Sequence, residues 1–165
     1  MAEMKLTIVG LEPFLARLAS GDAVIERELR TAMHEATLMV ERDAKASVPR
    51  DTGTLYRSII SEVDRGPVLR GRVGVLHGPA TQYARVVEEG RRAGSRPPPS
   101  AAIARWLGRK GGDPAMAFVV ARSIGRRGIK ARPFLGPAVA KNRAPIQALF
   151  ERARDRLVKH LAGKG

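Results

Sequence analysis

Between Gly21 and Pro49 the chain has neither glycine nor proline, and its apolar residues recur every three or four positions: Ile25, Leu29, Ala32, Met33, Ala36, Val40 and Ala44. That period predicts one long helix with a single apolar stripe. Asp22 is placed to cap it, its carboxylate accepting from unpaired first-turn amides. Arg27, Arg30, Glu41 and Lys45 fall on the other face. Pro49 ends the helix near Ser47, because the residue before a proline is pushed out of the α region. A helix of that length with one greasy side needs a layer to lie on, and the flanking segments supply strands.

Met4–Val9 partly alternates and reads as a short strand. Leu11 to Ala19 reads as a brief helix stopped by Gly21. Leu55–Val63 and Leu69–Leu76 read as two further strands, the second with Leu69, Gly71, Val73 and Val75 on one side. Arg65-Gly66-Pro67 supplies a turn between them, so the economical pairing is antiparallel. Ala80 to Glu89 reads as a short helix. Gly90 to Pro99 contains two glycines, three arginines and three consecutive prolines, and is a loop. Beyond it the pattern turns helical. One helix runs from a Ser100 cap to Lys110 and buries Ile103, Trp106 and Leu107. A second runs from an Asp113-Pro114 start to about 125, carrying Met116, Val119, Val120 and Ile124. Ala131–Leu135 is extended. A terminal helix carries Ile146, Leu149, Phe150, Ala153, Leu157 and Leu161, with Pro145 either starting it or kinking a longer one begun at Pro137. The expected fold is α+β: a small antiparallel sheet packed by a long N-terminal helix, with a helical C-terminal half. Residues 1–165 read as a single domain, with 91–130 an inserted basic helical pair within it.

The charge is lopsided. The net value is +14, yet residues 1–90 carry 12 basic and 13 acidic side chains while residues 91–165 carry 18 and 3. A one-sided positive field favours contact with nucleic acid or an acidic protein surface; a merely solvated basic face is the bland reading. Arg91, Arg92, Arg96, Arg109, Lys110, Arg126, Arg127 and Lys130 lie in loops or at helix ends and are the candidate contacts. Aromatics are only 4% of the chain, so the core must be aliphatic. No apolar run approaches the roughly 18–20 residues a membrane span needs. The N-terminal stretch Leu6–Leu11 is too short for a signal peptide, so a soluble, intracellularly made protein without membrane contact is expected.

Catalytic and metal chemistry find little support. The chain has no cysteine, which removes thiol nucleophiles and Cys-based metal sites. His34, His77 and His160 are too scattered for a local metal motif. Asp51-Thr52-Gly53 spells the aspartic-protease triplet, but Arg50 and a helical lead-in replace the apolar strand such a site requires. It reads instead as a turn, with Gly53 taking the positive φ. Gly125-Arg126-Arg127-Gly128 resembles a nucleic-acid-clamping loop, but Arg132-Pro133 stands where its second helix should run. Gly108-Arg109-Lys110-Gly111-Gly112 lacks the serine or threonine and the preceding strand of a phosphate-binding loop. No catalytic, cofactor or metal site is expected.

Three ordered segments resemble a known family: Ala44–Pro49 with Asp51-Thr52-Gly53-Thr54-Leu55 and Ser58-Ile59; Tyr83 to Gly90; and Ala131-Arg132-Pro133-Phe134-Leu135 running into Pro137-Ala138 and a terminal helix. The set is similar to the minor tail, neck and tail-completion proteins of tailed bacteriophages. The insert with Pro97-Pro98-Pro99 and Trp106 is similar to members carrying an extra helical pair. The resemblance implies a non-enzymatic virion protein at the head–tail junction, forming a homo-oligomeric ring, most often sixfold, around a DNA channel. It implies other neck and tail proteins as partners and nonspecific contact with packaged DNA. It also implies architectural roles for Pro49, Asp51, Gly53, Leu55, Tyr83, Glu88, Arg132, Pro133 and Phe134, with Phe134 buried and Arg132 paired to a carboxylate. The competing reading, from charge alone, is a free-standing, sequence-nonspecific nucleic-acid-binding protein.

Overall fold

The computed structural model describes residues 3–6, 23–64 and 68–162. The expected helix at Leu11–Ala19, the Asp22 cap, the Arg65-Gly66-Pro67 turn, the part of the first strand beyond Leu6, and Leu161's place in the terminal stripe lie outside the described residues and side chains. The elements are β1 (Glu3–Leu6), α1 (Ala23–Ser47), α2 (Thr54–Ser58), β2 (Ile59–Val63), β3 (Gly71–Val75), α3 (Thr81–Glu89), α4 (Ser100–Arg109), a 3₁₀ turn (Pro114–Met116), α5 (Ala117–Arg127) and α6 (Leu135–Ala162). The fold is α+β, as expected. The chain forms two compact units, one of Met1–Ala84 with Pro133–Gly165, the other of Arg85–Arg132.

In the first unit the sheet order is β1-β3-β2, with both pairings antiparallel. The stripe read from sequence is the buried face of α1: Ile25, Leu29, Ala32, Met33, Ala36, Val40 and Ala44 are each nearly inaccessible. This stripe serves two partners, the sheet and α6. Gly71 marks how closely helix and sheet approach, since a Cβ there would stand 2.5 Å from Thr37 Cγ2 and 2.8 Å from Met33 Sδ. Val73 and Val75 follow Gly71 on the same buried side of β3, matching the alternation of a half-buried strand. Thr37 is the buried polar residue of α1, and its hydroxyl donates back to the His34 carbonyl at 2.9 Å, leaving no donor unmet.

α6 runs antiparallel to α1. At one end Leu157 packs with Ile25 and Leu29, and Leu69 covers the cluster. At the other end Ser47 Oγ reaches the Phe134 carbonyl at 3.4 Å. Between them, buried Asn142 donates to Asp43 Oδ2 and to the Ala138 carbonyl, both at 2.8 Å. Lys141 Nζ adds an ion pair to the same oxygen at 3.1 Å. The Asn142 bond, then Lys141, holds the Asp43 carboxyl below its ordinary range. The terminal helix starts at Leu135 and continues through Pro145, which resolves the alternatives in favour of one long helix. Pro145 is exposed, so the carbonyl its ring strands is on the wet side, where water can satisfy it. Ile146, Leu149, Ala153 and Leu157 are buried, while Phe150 is half-buried.

One strand expectation is corrected. The segment from Leu55 first makes the short helix α2, and the strand begins only at Ile59. Gly53 adopts φ 74°, the left-handed region where a Cβ is costly. The Arg57 amide then bonds the Gly53 carbonyl at 3.0 Å, and Ser58 Oγ the Thr54 carbonyl at 2.8 Å. One helical turn buries Leu55 before the strand begins.

The second unit holds the loop, α4, the 3₁₀ turn and α5. Asp113 caps as expected, accepting from the Ala115 amide at 2.9 Å, with Pro114 at the first position. Three expectations fail here. Ser100 is the first helical residue, with Pro99 in the cap position and no side-chain cap. Trp106 is 40% exposed, and Ile103 and Leu107 are only half-buried. In α5 the buried positions are Ala117, Ala121 and Gly125, while Met116 and Val119 are exposed. The reason is steric. The proline loop lies so close that a Cβ on Gly125 would be 2.8 Å from Pro97 Cγ, and the Gly94 amide bonds the Gly125 carbonyl at 2.8 Å. Only small residues fit beneath it.

Replacing Gly71 by alanine is expected to force Met33 and Thr37 aside and to cost about 1–3 kcal/mol as overpacking, read as a lower midpoint in urea. Asn142→Ala removes the hydrogen bond that most depresses Asp43. Because a depressed carboxyl stabilises the fold above its unfolded pKa and loses that effect as pH falls through its folded value, wild type should show the steeper loss of stability on acidification. The variant should be weaker at neutral pH and flatter below about pH 4, measured by thermal melts across pH.

Candidate interaction surfaces

Several motif residues of the first unit gather around one turn. Pro49 is half-buried at the end of α1, Asp51 lies exposed on the turn, Gly53 reverses the chain, and Leu55 anchors it from beneath. Tyr83, on α3, is 39% exposed and stands near enough to Asp51 to feel its charge. Burial first, and the Asp51 carboxylate second, raise the Tyr83 phenol above its ordinary value. The structure therefore joins two segments that are distant in sequence. Asp51 on a solvent-facing turn is also the wrong setting for a shared-proton carboxylate pair, which needs an enclosed site.

Beside this turn is a stack the sequence reading missed. The Arg50 guanidinium lies 4.4 Å from the centre of the Tyr56 ring, with Lys45 Nζ at 5.8 Å, distances at which a cation is attracted to an aromatic face. Lys45 also pairs with Glu41 Oε1 at 2.6 Å, and Ser61 donates to the other Glu41 oxygen at 2.5 Å. Burial pushes the Glu41 carboxyl up, but the bonds from Lys45 and Ser61 outweigh it and hold it below the usual range. The group ties α1 to β2. Its signal in the sequence was the spacing of Glu41 and Lys45, one helical turn apart.

Phe134 is fully buried. Pro133 and Arg132 are exposed. The carboxylate expected for Arg132 is not there among the described residues; it is the Arg132 backbone amide that is engaged, donating to the Val87 carbonyl at 2.8 Å. Exposure explains this, since a wet guanidinium gains little from a fixed partner. Glu88 is half-buried on α3 and engaged, and its neighbour Glu89 pairs with Arg85 at 2.8 Å.

All eight basic candidates fall in the second unit, but they are not equivalent. Arg91 is half-buried. Its backbone exchanges hydrogen bonds with Ile129 at 2.8 and 2.9 Å, and its guanidinium donates to the Arg96 carbonyl. It is occupied in holding the loop rather than in meeting a partner. Gly128, at φ 76°, allows this crossing, because a Cβ there would meet the Arg91 carbonyl at 2.1 Å. Arg92, Arg96, Arg109, Lys110, Arg126, Arg127 and Lys130 are exposed. Arg126 and Arg127 share the outer face of α5 with Arg122, a residue the sequence reading passed over, and with Phe118 and Val119. After Gly128 no helix forms until Leu135, so the two-helix clamp suggested by Gly125–Gly128 is not formed.

Among the described residues no group of His, Asp and Glu is placed to hold a metal ion, and no helix is long and apolar enough to cross a membrane. Residues 12–90 match the family model described as "Bacteriophage HK97-gp10, putative tail-component". The resemblance to tailed-phage tail proteins is supported over this segment, which carries the Asp51 turn and the Tyr83 helix. The Ala131–Leu135 motif lies beyond it. No curated protein and no solved structure matches the chain.

Asp51→Asn should lower the Tyr83 titration part of the way toward the ordinary tyrosine value, burial retaining the rest, as followed by phenolate absorbance in a Tyr56→Phe background. An unchanged titration would separate Asp51 from Tyr83.

Proposed function

We propose that the protein is a structural component of a tailed-phage virion that acts at the head–tail junction, where copies assemble as a neck or tail-completion ring around the DNA channel. The observation that carries this reading is the family match over 12–90, the segment that brings Asp51 near Tyr83. The reading assigns no catalysis. Pro49, Asp51, Gly53, Leu55, Tyr83, Glu88, Pro133 and Phe134 serve as architecture, setting the turn into the sheet and seating α6. Residues 91–130 are an inserted basic helical pair, and its exposed arginines and lysines meet packaged DNA or acidic neighbours in the virion. A sixfold ring is the favoured assembly, and the virion is the protein's destination. Phosphate contacts suit such a place because they hold a duplex without choosing its sequence.

A second reading rests on the Arg85–Arg132 unit, which has twelve basic and three acidic side chains: a free-standing, nonspecific nucleic-acid-binding protein. Two measurements separate them. Native mass spectrometry and negative-stain images of the purified protein should show closed rings; a strict monomer at high concentration would argue against the assembly reading. Duplex DNA affinity that falls with salt by about −0.9 log unit per neutralised phosphate, from a protein that stays monomeric, would favour the second.

A further inference from the structure

Helix α5 is built inside out. Its buried stripe is Ala117, Ala121 and Gly125, while Phe118 is 67% and Val119 55% exposed, with Met116 just before them at 48%. Along the same outer face Arg122, Ser123, Arg126 and Arg127 continue from Phe118 and Val119 as a shallow cleft of about 310 Å³. A second hollow, about 370 Å³, opens on the other flank of Phe118, against Pro97 and Pro98. A large aromatic held outward between two hollows on an ordered helix is the composition of an interface centre, with the arginines as its charged rim.

The charge says what covers it. Arg122, Arg126 and Arg127 make no ion pair among the described residues. The three carboxylates of this unit are engaged elsewhere: Glu88 has a partner, Glu89 holds Arg85, and Asp113 caps the 3₁₀ turn. A second copy is a poor source of the missing charge. The described residues of the first unit are themselves basic in balance, with fifteen Lys and Arg against eleven Asp and Glu, and a two-fold pairing of α5 with itself would set arginine against arginine. Duplex DNA would satisfy the guanidinium groups but leave Phe118 and Val119 in water. We infer that the outer face of α5 docks onto an acidic protein partner whose carboxylates surround an apolar hollow, Phe118 filling the hollow and Arg122, Arg126 and Arg127 meeting the rim. This rests on the reading of the chain as an assembly component and names the chemistry of one neighbour.

The test uses the full chain and three labelled probes followed by fluorescence anisotropy. Two are synthetic peptides of equal length and charge, one combining Glu with Leu and the other Glu with Ser; the third is a duplex DNA oligomer. The Glu/Leu peptide should bind at least about tenfold more tightly than the Glu/Ser peptide, a difference of ~1.4 kcal/mol. Phe118→Ser should erase that advantage without changing the melting temperature, and Val119→Ser should reduce it. The double variant Arg122→Glu/Arg126→Glu should abolish binding of both peptides. Equal binding of the two peptides, indifference to Phe118→Ser, or a duplex that outcompetes both would overturn the inference. Rings that form normally while the peptides fail would overturn it and leave the assembly reading standing.

Discussion

The antiparallel contact between α1 and α6 organises the larger unit. One stripe on α1 has to cover a three-stranded sheet on one side and the terminal helix on the other. The contact is apolar at one end, where Leu157 meets Ile25 and Leu29, and polar at the other, where Asn142 and Lys141 converge on Asp43. The apolar end supplies the larger share of the stabilisation, since a fully buried leucine contributes about 1.5–3 kcal/mol. The polar end fixes register, because Asn142 is buried and would be left short of partners if α6 slid by a turn.

Much of that unit was legible beforehand. The α1 stripe, the antiparallel β2–β3 pair and the short helix at Tyr83 follow from period, turn chemistry and proline placement. Those signals are local, and the helix is long enough for its period to be unambiguous. What escaped was whatever depended on a neighbour distant in sequence. Leu55 was assigned to a strand because nothing nearby announces that the chain will spend a turn burying it. The Asp51–Tyr83 proximity and the Arg50–Tyr56 stack are tertiary facts. Arg132 was given a carboxylate that its exposure makes unnecessary.

The Arg85–Arg132 unit inverts the usual rule that large apolar residues point inward, and the inversion has a mechanical cause. A proline-stiffened loop pressed against Gly125 leaves no room for side chains on that side, so the inner stripe is Ala, Ala, Gly. The spacing of Met116, Val119, Val120 and Ile124 marks an apolar face, but the period at Ala117, Ala121 and Gly125 is equally regular, and it is this one that is buried. Arg122 was overlooked for the same reason: it sits in mid-helix, away from the loops and helix ends where basic contacts were sought.

The larger unit is assembled from two stretches of chain that the whole of Arg85–Arg132 separates in sequence. Closing so long a connection costs entropy that grows only slowly with length, so the penalty falls on timing more than on equilibrium stability. During synthesis the sticky side of α1 leaves the ribosome long before Leu157 exists to cover it. Until α6 has been made, that surface is open to chaperones and to other nascent chains, and a message cut short between Arg132 and Leu157 yields a product whose Ile25 and Leu29 lack their cover.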